Sequence, residues 1–162
     1  MDPVYLDLHI HTSDDPNSLN QSYDWGTLVT KVKEKAEGGD FLISLTDHNT
    51  INEKIYLDAL EQIPKNLILG VELHIRSHKH EDAKAYHCHI YFNLDEAGIT
   101  AEVIKGINEK LDKLYPNKQP QLRDVSIPDI QDIIETFDEY DFLLLPHGGQ
   151  THATFDEALP EG

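Results

Sequence analysis

The chain predicts an α/β fold in which strands and amphipathic helices alternate, as a mainly parallel βα-type sheet or barrel. Five short apolar runs of strand character are separated by segments whose apolar residues fall at helical spacing. Polar groups, chiefly histidines, close each of the five runs. A length of 162 residues suits one domain, 1–162, around a single core.

The first strand comes from Val4, Leu6, Leu8 and Ile10 alternating with Tyr5, Asp7, His9 and His11. A period of two sends alternate side chains to opposite faces, so one face is aliphatic and the other carries two imidazoles. Asp24 caps a helix running to about Glu37, with Leu28, Val32 and Ala36 on one face and Gly38-Gly39 as its stop. Phe41 to Leu45 is a buried second strand, closed by Thr46-Asp47-His48-Asn49. Thr50-Ile51-Asn52-Glu53 has capping-box spacing and opens a helix carrying Ile51, Ile55, Ala59 and Ile63, which Pro64 ends.

Leu67 to His74 is the third strand, and the charged stretch Arg76 to Lys84 loops out. Ala85 to Phe92 is the fourth, with His87, His89 and Tyr91 on one face. A helix from about Thr100 to Leu114 uses Val103, Ile104, Ile107, Leu111 and Leu114. After the linker Pro116 to Val125, Ser126-Ile127-Pro128-Asp129 opens a helix with Ile130, Ile133, Ile134 and Phe137. Phe142 to Leu145 is the fifth strand and runs into Pro146-His147-Gly148-Gly149. Residues 150–162 show no element of their own.

With 39% hydrophobic and 27% charged residues, the composition is that of a soluble globular protein rather than a disordered one. No apolar run approaches the roughly 18 residues of a membrane span, and Met1-Asp2-Pro3 lacks the basic start of a signal peptide. No membrane partner is therefore expected, and a cytoplasmic location is the simplest reading. The single cysteine, Cys88, excludes an internal disulfide and is placed in the core. A net charge of −17, from 30 acidic residues against 13 Lys plus Arg, repels phosphate backbones and disfavours nucleic acid.

The ten histidines matter through their positions. His9 and His11 end the first strand, Asp47 and His48 the second, Glu72 the third, His89 the fourth and His147 the fifth. In parallel α/β folds the loops at the carboxyl ends converge on one face, where ligands bind. Imidazole nitrogens and carboxylate oxygens suit zinc, manganese or iron, and one carboxylate can bridge two ions. Any one of these residues alone is more often structural. Their recurrence on every strand makes a metal site the reading.

The pieces Asp7-Leu8-His9-Ile10-His11-Thr12, Leu45-Thr46-Asp47-His48-Asn49-Thr50, Gly70-Val71-Glu72, His87-Cys88-His89-Ile90 and Leu145-Pro146-His147 resemble, in order, the motifs of the polymerase and histidinol phosphatase (PHP) superfamily. That resemblance implies part of a distorted (β/α)7 barrel with two or three divalent ions, and metal-dependent hydrolysis of a phosphate ester by metal-activated water. It implies that His9, His11 and Glu72 hold one ion and that Glu72 bridges to a second, held also by His89 and His147. A third would use Asp14, with Asp15 as the alternate, together with His48. His87 shares a face with His89 and is the alternate there.

The family's last motif, an Asp-x-His on a late strand, does not occur in the chain. The expectation is therefore an amino-terminal part of a PHP domain, truncated at its carboxyl end. A further carboxy-terminal domain would follow in the full-length protein, and the chain by itself would be nearly inactive and prone to self-association through open strand edges. A small phosphorylated substrate is expected over nucleic acid. Two other readings stand beside it: a catalytically silent metal-binding PHP module of a larger protein, and an amidohydrolase-type metallohydrolase, against which counts the lack of a lysine ending any predicted strand. Of the other histidines, His74 lines the cleft, His78 and His80 are solvated in their charged loop, and His152 has no role. Asp7 and Asp47 orient imidazoles or serve as capping and salt-bridging groups. Arg76 or Lys79 are candidates for a phosphate clamp.

Overall fold

A computed structural model of the chain describes residues 4–79, 83–94, 98–121 and 123–147. The elements run β1 (Val4–Ile10), α1 (Trp25–Lys35), β2 (Asp40–Leu45), α2 (Glu53–Leu60), β3 (Leu69–Arg76), β4 (Ala85–Asn93), α3 (Ala101–Leu114), α4 (Ile130–Thr136) and β5 (Asp141–Pro146). The fold is mixed α/β. β1 and β2 form a parallel pair, and β3, β4 and β5 form a sheet whose two ladders are both antiparallel. Parallel bridges at Ile43–Leu67 and His48–Glu72 set the two sheets side by side.

The expectation of mainly parallel pairing is therefore corrected at β4, which runs against all the other strands. The cause is the connection before it. Residues 77–84 are too few for a helical crossover, and parallel neighbours need one of a dozen residues or more, so β3 and β4 close as a hairpin.

The sheet curls strongly. Laid flat, β4 would lie about 14 Å from β1, three strand spacings away. Instead the Tyr91 hydroxyl donates to Leu8 O at 2.8 Å, and the His89 ring centroid lies 4.3 Å from that of His9. Among the described residues no ladder joins β1 to β5, so the sheet is curled but not a closed barrel. Its convex face carries Ile43, Leu45, Leu69, Val71, Leu73, Ile75, Ile90 and Phe92. These are buried in one core with Ile55, Ile104, Ile107, Leu111, Ile133 and Phe137 from the helices. On the concave face, Glu72 stands opposite His89, His74 opposite His87, and Leu145 opposite His89 on the other side.

β1 departs from strict alternation. Leu6 pairs with Leu42 but Ile10 pairs with Leu45, so β1 spends one more residue than β2 over this span. Such a bulge reverses the phase of the side chains that follow it. Ile10 is buried on the convex side, whereas Leu6 falls on the concave side and is 57% exposed. Val4, Leu6 and Ile10 thus do not share one aliphatic face. The bulge is what turns His9 and His11 towards Glu72, while Asp7 stays in register with Ile43, on the helix side.

Two helix starts also differ from expectation. α2 starts at Glu53 with Asn52 in the N-cap position and no side-chain cap hydrogen bond, so the expected Thr50–Glu53 box does not form; the Thr50 hydroxyl accepts from Lys118 Nζ at 3.2 Å instead. α4 begins with a capping box between Asp129 and Asp132, while Ser126 bonds to Asp124. No helix among the described residues is long and apolar enough to cross a membrane.

Gly70 sits where β2, β3 and β4 crowd together. A Cβ there would lie 2.5 Å from Ser44 Oγ, 2.8 Å from Tyr91 Cδ1 and 3.1 Å from Thr46 Cγ2. Gly70→Ala is therefore expected to destabilise the protein by about 1–3 kcal/mol, the usual cost of overpacking. Urea denaturation of the variant beside the parent measures this, and an unchanged midpoint would show that the strands yield freely.

Candidate metal centre

Glu72 is the centre of the concave face, with 1% of its surface exposed. Its Oε2 lies 2.8 Å from His11 Nε2, 3.1 Å from His9 Nε2 and 3.6 Å from His48 Nδ1, and its Oε1 lies 2.7 Å from His87 Nδ1. One buried carboxylate thus gathers imidazoles from β1, from the turn after β2 and from β4. Among the described residues, three groups have ligand atoms within 4.8 Å of one another: His9, Glu72 and His89; His11, His48 and Glu72; and His48, His74 and His87.

Each position has a local cause. β1 and β2 run out at the rim just before His11 and His48, and β3 supplies Glu72 from its middle and not from its end as expected. On β4 the order is reversed by the hairpin, so His87 and His89 sit in its first half and not at its carboxyl end as expected. His147 follows β5, its backbone N–H donates to His87 O at 2.8 Å, and its ring lies 4.9 Å from His9 and 5.6 Å from His89. Asp14 lines the small cavity, about 320 Å³, that is bounded also by His9, His11, Ser13, His48, Glu72 and His87. The Asp15 carboxylate is turned into its own loop, accepting from Asn17 N at 2.8 Å.

The loop carrying Asp14 is pinned from β2. Asp47 Oδ1 accepts from the backbone N–H groups of Thr12 (2.6 Å) and Ser13 (2.9 Å), and Asn52 Nδ2 donates to Thr12 Oγ1 (2.8 Å) and Asn20 O (2.9 Å). Asp47 therefore holds the loop after His11 and not an imidazole. Burial pushes its carboxyl pKa up, against those hydrogen bonds.

The two phosphate-clamp candidates are engaged at the start of α4. Arg76 Nε donates to Ile127 O at 2.9 Å, and Lys79 Nζ pairs with Asp132 at 2.6 Å. Among the described residues, no Lys or Arg lines the Glu72 cavity. His78 bonds Ser77 Oγ at 2.8 Å, while His80 and His152 lie outside the described residues. Cys88 is buried on the convex side, where burial pushes its thiol up to about 12.

The electrostatics suit a cation. Burial alone would raise the Glu72 pKa, but hydrogen bonds from His11, His87 and His9 outweigh it and hold the carboxyl well below its usual range. Burial pulls His48 and His89 down to about 4 and His74 to about 3, so all three are neutral at pH 7. For His11, burial acts downward but the Glu72 hydrogen bond and charge raise the pKa. His48 Nδ1 and His89 Nε2 are buried without a hydrogen-bond partner. Buried polar atoms rarely stay unsatisfied, and neutral imidazoles around an ionised carboxylate are the donor set that zinc, manganese or iron takes. The residues fit a divalent ion.

The depressed histidine pKa values set a pH dependence for the metal-free protein. In the unfolded chain these imidazoles protonate near 6.5, well before the folded ones do. Stability is therefore lost as pH falls from about 6.5 to about 4, by up to roughly 1.4 kcal/mol per pH unit per histidine. Folded Glu72 stays ionised throughout that window, while its unfolded carboxyl protonates near 4.5 and so adds to the loss at the lower end. Urea midpoints of chelator-treated protein at pH 7 and pH 5 measure the loss, and equal midpoints would show that His48, His74 and His89 are not held neutral.

His74, His87 and Asn49 belong to this cluster beyond the set expected at the strand ends. Strand parity signals the first two, since His74 is two residues past Glu72 and His87 two before His89. Asn49 carries no such signal. The fold and site together define an open, curled α/β sheet with a buried histidine–carboxylate cluster on its concave face. The chain matches no protein-family model, no curated protein and no solved structure.

Proposed function

We propose that the protein is a metal-dependent phosphoesterase of the PHP type, with the curled sheet as part of a distorted barrel of that kind. The observation that carries the reading is the buried Glu72 carboxylate with four imidazoles within 3.6 Å of its oxygens. Glu72 would be shared between ions, one drawing on His9 and His11 and another on His89 and His147, with Asp14 and His48 available to a third. Distances alone group His9 with His89 and His11 with His48 around Glu72, an alternative partition of the same donors. Bound divalent ions supply Lewis-acid activation of water and offset phosphoryl charge.

The chain's own residues do the rest. Glu72 concentrates negative charge at the floor of the cavity, the neutral imidazoles of His48 and His89 offer lone pairs at pH 7, and Asp47 fixes the loop that presents Asp14. Because no Lys or Arg among the described residues lines the cavity, bound metal would have to meet most of the phosphate charge. The cavity volume of about 320 Å³ and the net charge of −17 favour a small phosphate monoester over nucleic acid. A soluble cytoplasmic enzyme is the setting this reading supposes.

The same lack of a cationic clamp supports a second reading, a PHP-like module that binds metal without hydrolysing a substrate. Two measurements separate them. Elemental analysis after supplementation is expected to find zinc, manganese or iron, and less than about a tenth of an ion per chain would defeat both readings. Any turnover of a generic aryl phosphate with manganese that chelator abolishes, even at the low rate expected of this chain alone, selects the phosphoesterase, whereas metal bound with no detectable turnover selects the silent module.

A further inference from the structure

By distance alone, His48, His74 and His87 make a three-histidine metal site, with ring centroids 4.5 Å apart for His74–His87 and 5.4 Å for His48–His74. The hydrogen bonds behind His74 contradict that role. Asn49 is fully buried in a left-handed conformation, φ 53°, which asparagine tolerates better than most residues. Its Oδ1 accepts from the backbone N–H of His74 at 3.0 Å, which fixes which end of the amide is oxygen. Its Nδ2 must then be the donor, and it gives one hydrogen to Lys118 O at 2.9 Å and has the other facing His74 Nδ1 at 2.8 Å.

An imidazole nitrogen that accepts carries no proton, so the proton of the neutral His74 ring sits on Nε2. Ligation through Nε2 would need the other tautomer, whose Nδ1–H would collide with the Asn49 amide hydrogen. Flipping the amide would break both backbone contacts in a fully buried place, at the cost of unsatisfied groups. No protein partner for Nε2 occurs among the described residues, and His74 keeps 8% of its surface exposed.

We propose that His74 is a hydrogen-bond donor to a phosphoryl oxyanion bound at the Glu72 centre, not a metal ligand, and that Asn49 is the positioning residue that fixes its tautomer. The choice of oxyanion rests on the phosphoesterase reading; the tautomer does not. Among the described residues no lysine or arginine lines the cavity, and beside it a fixed imidazole N–H, a donor that needs no reorientation, can grip such a group directly.

The test uses the whole chain and two probes, zinc and inorganic phosphate. Long-range nitrogen–proton correlations of the His74 ring in the metal-free protein are expected to show the Nε2–H tautomer, unchanged on zinc loading. Phosphate added to the zinc-loaded protein is expected to shift the His74 Hε2 resonance. His74→Phe is expected to keep the zinc stoichiometry and bind phosphate roughly tenfold more weakly or worse, as for loss of a hydrogen bond to a charged group. An Nδ1–H tautomer, a zinc-dependent Nε2 signal, loss of one zinc in His74→Phe, or phosphate binding that leaves His74 unmoved would each overturn the proposal. Should the variant not fold, the wild-type spectra decide. Failure of the wild type to take up zinc would instead remove the phosphoesterase reading and the oxyanion role with it, while the metal-free spectrum still judges the tautomer.

Discussion

Glu72→Gln is expected to strip the centre of metal. The substitution keeps the shape of a side chain that is 1% exposed and removes only its charge. Four imidazoles approach its two oxygens within 3.6 Å, so no other group can take its place without repacking all of them. A unit charge about 4 Å from a monovalent cation is worth about 4 kcal/mol at an effective dielectric of 20, and a divalent ion feels more. Affinity should therefore fall by roughly a thousandfold or more, and if Glu72 bridges, two ions should be lost together. Hydrolysis of an aryl phosphate should disappear with them. Elemental analysis of the dialysed variant beside the parent is the measurement. A variant with its full metal complement would make Glu72 a structural acceptor for histidines and nothing more.

How much of this centre the sequence displays depends on the kind of interaction. His9, His11 and His48 stand at or just past strand ends and Glu72 lies within β3, all beside apolar runs, and period-two parity tells which strand residues can face one another. The β1 bulge leaves no such trace. An extra residue between Asp7 and Ile10 looks like ordinary alternation, yet it moves Leu6 to the concave side and His9 beside Glu72. The β3–β4 hairpin was legible in principle, because the stretch between Arg76 and Ala85 is too short for a crossover helix. Its polar composition instead reads as a loop on the way to a parallel strand. The roles of Asp47 and Asn49 depend on partners far away in the chain, Thr12 and Lys118, and no local pattern encodes such pairs. Arg76 shows the reverse failure. Its charge suggests a ligand clamp, but tertiary packing buries it against Ile127.

Tyr56→Phe is expected to destabilise the protein by about 2–5 kcal/mol, although the residue sits on α2 and lies outside the cavity. β2 and β3 are joined by bridges at Ile43–Leu67 and His48–Glu72, with no ladder assigned between them. The Tyr56 hydroxyl occupies that interval. It accepts from Leu45 N at 3.0 Å and from Gly70 N at 3.1 Å, and its single proton is shared between Leu45 O at 2.7 Å and Ile68 O at 3.1 Å. One phenol oxygen thus replaces the ladder bonds that would otherwise hold the two sheets together. Phenylalanine fills the same space but leaves two buried backbone N–H groups with no acceptor, and each such group costs about 1–3 kcal/mol. The effect should reach the metal centre, because His48 follows β2, Glu72 lies on β3, and this seam sets the spacing between them. Urea denaturation measures the stability, and hydrogen exchange should show the amides of Leu45 and Gly70 opening selectively. A loss below about 0.5 kcal/mol, the range of an ordinary surface substitution, would mean that β2 and β3 close up on each other once the hydroxyl is gone. The seam would then be held by direct backbone bonds between β2 and β3, beside those already made at Ile43 and Glu72, together with the convex core.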